Sequence, residues 1–122
     1  MQLFQEAPDT RYQLRSADGE LARVNELELR RSFVLSPEEL LDDWRPRNID
    51  ELQPADMDAL LALQPALVLL GSGARQRFPA PAVLAACLGR GIGIEVMDNA
   101  AAARTFNLLA GEGRRVVAGF LL

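Results

Sequence analysis

Two residue types are missing from this chain of 122 residues, histidine and lysine, so all 13 basic side chains are arginine. Without histidine, the Ser-His-Asp and Cys-His nucleophile systems have no base. Without lysine there is no internal Schiff base, no pyridoxal phosphate anchor and no P-loop cation. The single cysteine, Cys87, excludes an internal disulfide and, with no histidine beside it, an ordinary zinc site within one chain. Acid–base chemistry is left to carboxylates, to the lone tyrosine Tyr12, to Cys87 or to water. No residue stands out as catalytic, and no cofactor or metal ligand set is recognisable. Enzymatic activity is therefore undecided, with the balance against it.

Long apolar runs are also lacking. Ala66 to Leu70 and its like fall far short of the ~20 residues a membrane span needs. The opening MQLFQEAPDT has no basic segment followed by an apolar block, so no secretory signal is expected. A lone cysteine suits a reducing compartment, which makes the cytoplasm the expected location. The formal charge of −4 argues against a nucleic-acid partner, which would demand clustered cations. No membrane partner is expected either. What is present, 49% hydrophobic and 25% charged residues, is the mixture of a globular chain at the size of one domain, residues 1–122.

The chain changes character near residue 50. In the β-rich first part, Tyr12 to Ser16 and Leu21 to Val24 flank Asp18-Gly19, a dipeptide suited to a tight hairpin because glycine accepts positive φ. Leu27, Leu29, Phe33 and Leu35, around Arg30-Arg31, suggest one further strand. Ser36-Pro37-Glu38-Glu39 permits a turn or a helix start, and a hairpin with Leu40 to Trp44 partly extended is the preferred reading. From about residue 51 the pattern alternates as a βαβ-type core. Pro54 to Leu63 is helical in period, and Ala66 to Leu70 reads as a strand covered on both faces. Pro81 to Leu88 is a helix closed by Gly89 and Gly91, and Ile92 to Met97 is a second buried strand. Ala100 to Ala110 is a helix closed by Gly111 or Gly113, and Val116 to Leu122 is a third strand. The expected class is α/β, a mixed sheet with an N-terminal β-layer.

Gly71-Ser72-Gly73 follows a strand, but Gln76 stands where the dinucleotide fingerprint needs its third glycine. What remains is a glycine turn followed by Arg75 and Arg77, able to hold an anion or merely to solvate a loop. Asp98 and Asn99 stand at the next strand-to-helix junction, where either can be the N-cap. If the two strands are parallel neighbours, both junctions meet at their carboxyl ends, where open α/β sheets bind ligands. On the following helix, Ala102, Phe106 and Leu109 form the core face, whereas Ala100, Arg104, Asn107 and Leu108 fall on the other side. The alanine run lets another backbone approach closely, either this chain's own or a partner's. The alternative for Arg104 is a pairing with loop carbonyls or Asp98. Trp44 and Cys87 read as core. The candidate binding residues are Gly71, Ser72, Gly73, Arg75, Asp98, Arg104 and Asn107.

The segments LLGSGARQRFPAP and GRGIGIEVMDNAAAARTFNLLAGEGRRVVAG resemble the family of the adipogenesis-associated domain protein and mitochondrial complex I assembly factor three. The resemblance covers most of the chain and is strongest from about residue 66. Ser32-Phe33-Val34 and Trp44 fit it loosely. It implies a three-layer β+α/β/α fold with a central five-stranded mixed sheet whose last strand, here Val116 to Leu122, runs antiparallel to the others. The matching positions are Gly71, Gly73, Pro79, Asp98, Arg104, Thr105 and Asn107. The chain departs at Asn99 (often Thr), Ala103 (often Cys) and Phe106 (often Tyr), which weakens any chemistry built on that thiol or phenol. Together with the missing catalytic inventory and the lightly charged outer face of the Ala100 to Ala110 helix, the resemblance favours a non-enzymatic protein-binding or assembly-factor-like module. A monomer or weak homodimer and an unidentified protein partner are expected. The alternative is a small-anion or metabolite binder, or an enzyme, with its site at the carboxyl ends of strands 66–70 and 92–97.

Overall fold

The computed structural model describes residues 11–122; the opening segment that bears on a secretory signal lies outside them. Three strands, β1 (Leu14–Ala17), β2 (Ala22–Val24) and β3 (Leu27–Leu29), form a small antiparallel sheet. A five-stranded sheet contains β4 (Phe33–Leu35), β5 (Leu40–Leu41), β6 (Leu67–Gly71), β7 (Gly93–Met97) and β8 (Val116–Phe120), in the order β5-β4-β8-β6-β7. A 3₁₀ turn at Pro54–Met57 runs into α1 (Asp58–Leu61), and α2 (Pro81–Leu88) and α3 (Asn99–Gly111) follow.

The layers follow from which face of each strand is apolar. Phe33, Leu35, Leu69, Val116, Ala118 and Phe120 project to one side and meet α3 and the small sheet. Val34, Val68, Leu70, Val96 and Val117 project to the other and meet α1, α2 and Trp44. This is the three-layer β+α/β/α arrangement with a mixed central sheet. Strands β6 and β8 are buried on both faces, as their near-continuous Val/Leu/Ala content demands. Phe33 stacks on its register partner Phe120, ring centroids 4.9 Å apart.

Several expectations are corrected. The last strand is not the antiparallel one: β8 runs parallel to β6, which runs parallel to β7, and it is β4 that opposes β8. The cause is the crossover. The 13 residues of α3 extend about 20 Å, long enough to carry the chain back to the starting edge of the sheet. Segment 27–35 is two strands in different sheets, because the chain turns at Arg30 to Ser32, where the Ser32 Oγ accepts the Leu122 N–H at 2.9 Å. Strand β7 is an edge strand and half exposed, since no strand among the described residues pairs beyond it. The helix from Pro54 begins as a 3₁₀ turn.

The β1–β2 connection is also longer than an Asp-Gly two-residue turn. It runs from Asp18 to Leu21, closed by the Asp18 N–H to the Leu21 carbonyl at 2.9 Å. The Asp18 Oδ1 accepts the amides of Glu20 and Leu21, both at 2.8 Å, and they hold its carboxyl below the usual range. Gly19 is needed for space rather than for positive φ, because a Cβ there would lie 2.7 Å from the Ala74 Cβ. The hairpin joining β4 and β5 forms as preferred, with the Ser36 N–H on the Glu39 carbonyl at 2.8 Å.

Candidate functional site

Because β6 and β7 are parallel neighbours, Gly71 pairs in register with Met97, and the segments leaving both strands meet. Asp98 is the N-cap of α3: its Oδ1 accepts the Ala101 N–H at 2.8 Å. Asn99 then points inward and is fully buried. Its Oδ1 accepts the Gly73 N–H at 3.1 Å, and its Nδ2 donates to the carbonyls of Asp18 and Leu121 at 2.8 and 2.9 Å. Its own N–H donates to the Gly73 carbonyl at 2.8 Å. One amide thus joins the β1–β2 turn, the β6 exit and the β8 exit. Gly71 makes room for it, since a Cβ there would sit 2.4 Å from the Asn99 Oδ1.

The loop after β6 is folded around Ser72. Its Oγ donates to the Arg75 carbonyl at 2.7 Å and accepts the Arg77 N–H at 3.1 Å. The Gln76 Nε2 ties the loop to the Val96 carbonyl on the sheet edge at 2.9 Å. Gly73 turns the chain at φ +110°, a backbone conformation open mainly to glycine. The result is a shallow crevice of about 270 Å³ at the strand ends, in which Gly73, Ala74, Arg75 and Arg77 face Arg47 and Asn48. Arg77 pairs with Asp50 at 2.8 Å, whereas the guanidiniums of Arg47 and Arg75 make no ion pair among the described residues. The N–H groups of Ala74 and Arg75 likewise donate to no acceptor among the described residues.

Three arginines around a turn with unpartnered amides are the donor set that an anion would require. Guanidiniums match carboxylate and phosphate geometry, and turn amides add donors without a side chain. A larger cleft, about 590 Å³, adjoins it through Arg47 and is lined also by Arg30, Arg31 and Arg45. There the cations are already matched, by Glu28 at 3.6 Å, Asp43 at 3.8 Å and Asp56 at 2.6 Å. The smaller crevice therefore has more unmatched positive charge.

The structure brings together Ser72, Gly73 and Arg75 in this crevice, and Gly71 lies directly beneath. The other three sequence candidates are elsewhere. Asp98 serves its helix. Asn107 is half-buried and lies against β1, where its Nδ2 donates to the Leu14 carbonyl at 2.5 Å and its Oδ1 accepts the Leu14 N–H at 3.2 Å. The close approach allowed by the alanines is thus used by this chain's own β1 and β2, whose Leu14, Ala17, Ala22 and Val24 pack with Ala102, Ala103 and Phe106. Arg104 is exposed on the outer side of α3, with no hydrogen-bond partner among the described residues, Asp98 included. Arg47 was not a sequence candidate. It lies 26 positions before Gly73 in the chain, and the two segments meet at a crevice that Gly19 and Leu121 also line.

The family described as a protein of unknown function (DUF498/DUF598) matches residues 15–121. The chain belongs to this family. The solution structure of a Xanthomonas campestris protein is similar to it at 59% identity, covering 99% of this chain and 92% of that one, with a TM-score of 0.83. A Bordetella pertussis protein described as an Mth938-like domain is similar at 26% identity, covering 99% and 92%, with a TM-score of 0.78. The 13 kDa major membrane protein of Francisella tularensis subsp. holarctica is 29% identical over 83 residues, which is 68% of this chain. The match spans 63% of that relative's length. Among the described residues, no helix is long and apolar enough to cross a membrane.

Proposed function

We propose that this member of the family is a non-enzymatic binding module that holds an anionic group of its partner in the Arg47–Arg75–Arg77 crevice. One observation carries the reading: in a chain of net charge −4, three arginines line one crevice with a turn whose Ala74 and Arg75 amides have no acceptor among the described residues. Local charge, not net charge, decides what a crevice attracts. A binding module is in keeping with the resemblance to an assembly factor. The name of the Francisella relative speaks for a membrane as one setting in which such a partner is met. The test is a titration with inorganic phosphate and with carboxylate and phosphorylated metabolites, followed by amide chemical shifts. Shifts centred on Gly73 to Arg77 that disappear in Arg47→Ala/Arg75→Ala support the reading. A flat response across the panel sinks it.

A second reading has its own observation. Leu108 is 61% exposed on the outer side of α3, one turn from the exposed Arg104. An apolar side chain beside an unpaired cation there suits contact with a protein partner. Crosslinking from native lysate would capture that partner, and Arg104→Glu/Leu108→Glu would lose it while unfolding like the parent.

A further inference from the structure

The loop that forms one wall of the crevice carries a second unusual feature. Phe78 is 66% exposed, more than any other large hydrophobic side chain among the described residues, and it directly follows Arg77. This exposure does not come from a loose loop. The chain is held by the three partners of the Ser72 Oγ and by Gln76 on the Val96 carbonyl, and Pro79, the next residue, is buried. An aromatic ring is therefore displayed, on a constrained support, beside a cationic crevice.

We propose that the crevice and Phe78 together form a contact site for a lipid surface of net negative charge, one whose headgroup phosphates are not offset by a headgroup cation. This rests on the anion-site reading above and names the partner that presents the anion. Arg47 and Arg75 hold headgroup phosphates, for which guanidinium is the better of the two basic side chains, being planar and multiply donating. Phe78 enters the boundary between headgroups and acyl chains, burying surface that is otherwise in water. Two carboxylates adjoin the site: Asp50, which is matched by Arg77, and Glu51, whose Oε1 accepts the Arg47 backbone N–H at 3.1 Å. The cation at one end and the aromatic at the other are the two components that peripheral membrane contacts combine.

The experiment uses the full chain with vesicles of phosphatidylcholine and phosphatidylglycerol, pure phosphatidylcholine vesicles, and inorganic phosphate. Binding to the anionic vesicles and not to the neutral ones is expected, weakening as salt rises. Phe78→Ala lowers vesicle binding by roughly tenfold but leaves the phosphate-induced shifts at Gly73 to Arg75 in place. Arg47→Ala/Arg75→Ala removes both. All three side chains are exposed, so thermal unfolding of the variants should match the parent. Phosphate shifts without vesicle binding, or vesicle binding indifferent to Phe78→Ala, overturn the lipid proposal and leave the anion site standing. No response to phosphate and none to vesicles overturns both.

Discussion

Asn107 on α3 pairs with both backbone groups of Leu14 on β1, accepting its N–H and donating to its carbonyl. A side-chain amide here takes the place of a neighbouring strand. It satisfies the edge of the small sheet and fastens that sheet to the helix, beside the cluster in which Ala17 and Ala22 share a core with Ala102, Ala103 and Phe106.

Asn107→Asp is a sharper test than Asn107→Ala, because a carboxylate keeps the acceptor and the shape but has nothing to donate to the Leu14 carbonyl. The variant should lose about 2 kcal/mol of stability, through a partly buried carbonyl left unpaired against a negative charge. Denaturant unfolding measures the loss. Amide exchange should quicken in β1 and β2 before it quickens in β6 or β8. Uniform acceleration would show that the small sheet does not open separately.

At Asn99 the dependence is mutual with a glycine. Asn99→Ala leaves the Gly73 N–H and the Asp18 and Leu121 carbonyls without that partner, at a cost on the order of 3 kcal/mol. Gly71→Ala drives a methyl into the Asn99 Oδ1 and the Phe120 ring, costing about 2 kcal/mol. Combined, the two should cost less than their sum, because removing the amide clears the nearer of the two obstacles. Strict additivity in denaturant melts would contradict the geometry.

These two asparagines show where the sequence was legible. The strand, turn and helix signals of residues 66–120 follow local rules, namely apolar runs, a prolyl helix start and glycines at helix ends, and the elements appear within a residue or two. The N-cap at Asp98 was legible for the same reason. Asn107 was placed on the right helix but on the wrong side of the argument. Helical angle puts it opposite Ala102, yet it cannot reveal that a strand 93 positions earlier lies there. Arg47 shows the same limit more strongly. Its neighbours in sequence say nothing of Gly73, and the direction of β8, set by a crossover rather than by its own residues, decides whether the crevice exists.

Asp56 gives a pH prediction. Its carboxylate takes two hydrogen bonds from Arg45, at 2.9 and 2.6 Å, and one from the Gln53 N–H at 2.8 Å. Foremost the Arg45 contact, and then the backbone amide, hold its pKa below the ordinary value. A folded pKa lower than the unfolded one contributes stability above the ordinary carboxylate range, and that contribution is lost as pH falls through the lowered value. Asp56→Asn should therefore be less stable than the parent at neutral pH by about 1 kcal/mol. The gap between the two should close as the pH drops below about 4. A gap that stays constant into acid would mean that the carboxylate charge contributes nothing.

Gly119 and Trp44 offer a spectroscopic prediction, because the chain has one tryptophan. The indole covers β8 at Gly119, where a Cβ would meet its ring atoms at 2.7 and 2.8 Å, and its Nε1 donates to the Asp56 carbonyl at 3.0 Å. The strand is central and cannot retreat, since β4 and β6 bond it on both sides. The ring must give way instead. Gly119→Ala should push the indole off its carbonyl and toward water, shifting its emission to the red. It should also lower stability by about 2 kcal/mol through overpacking. Trp44→Phe, smaller and with no N–H to satisfy, should soften the effect of Gly119→Ala. If the alanine costs as much in the Trp44→Phe background as in the parent, the obstacle is the Leu60 methyl, 3.4 Å away, and not the indole.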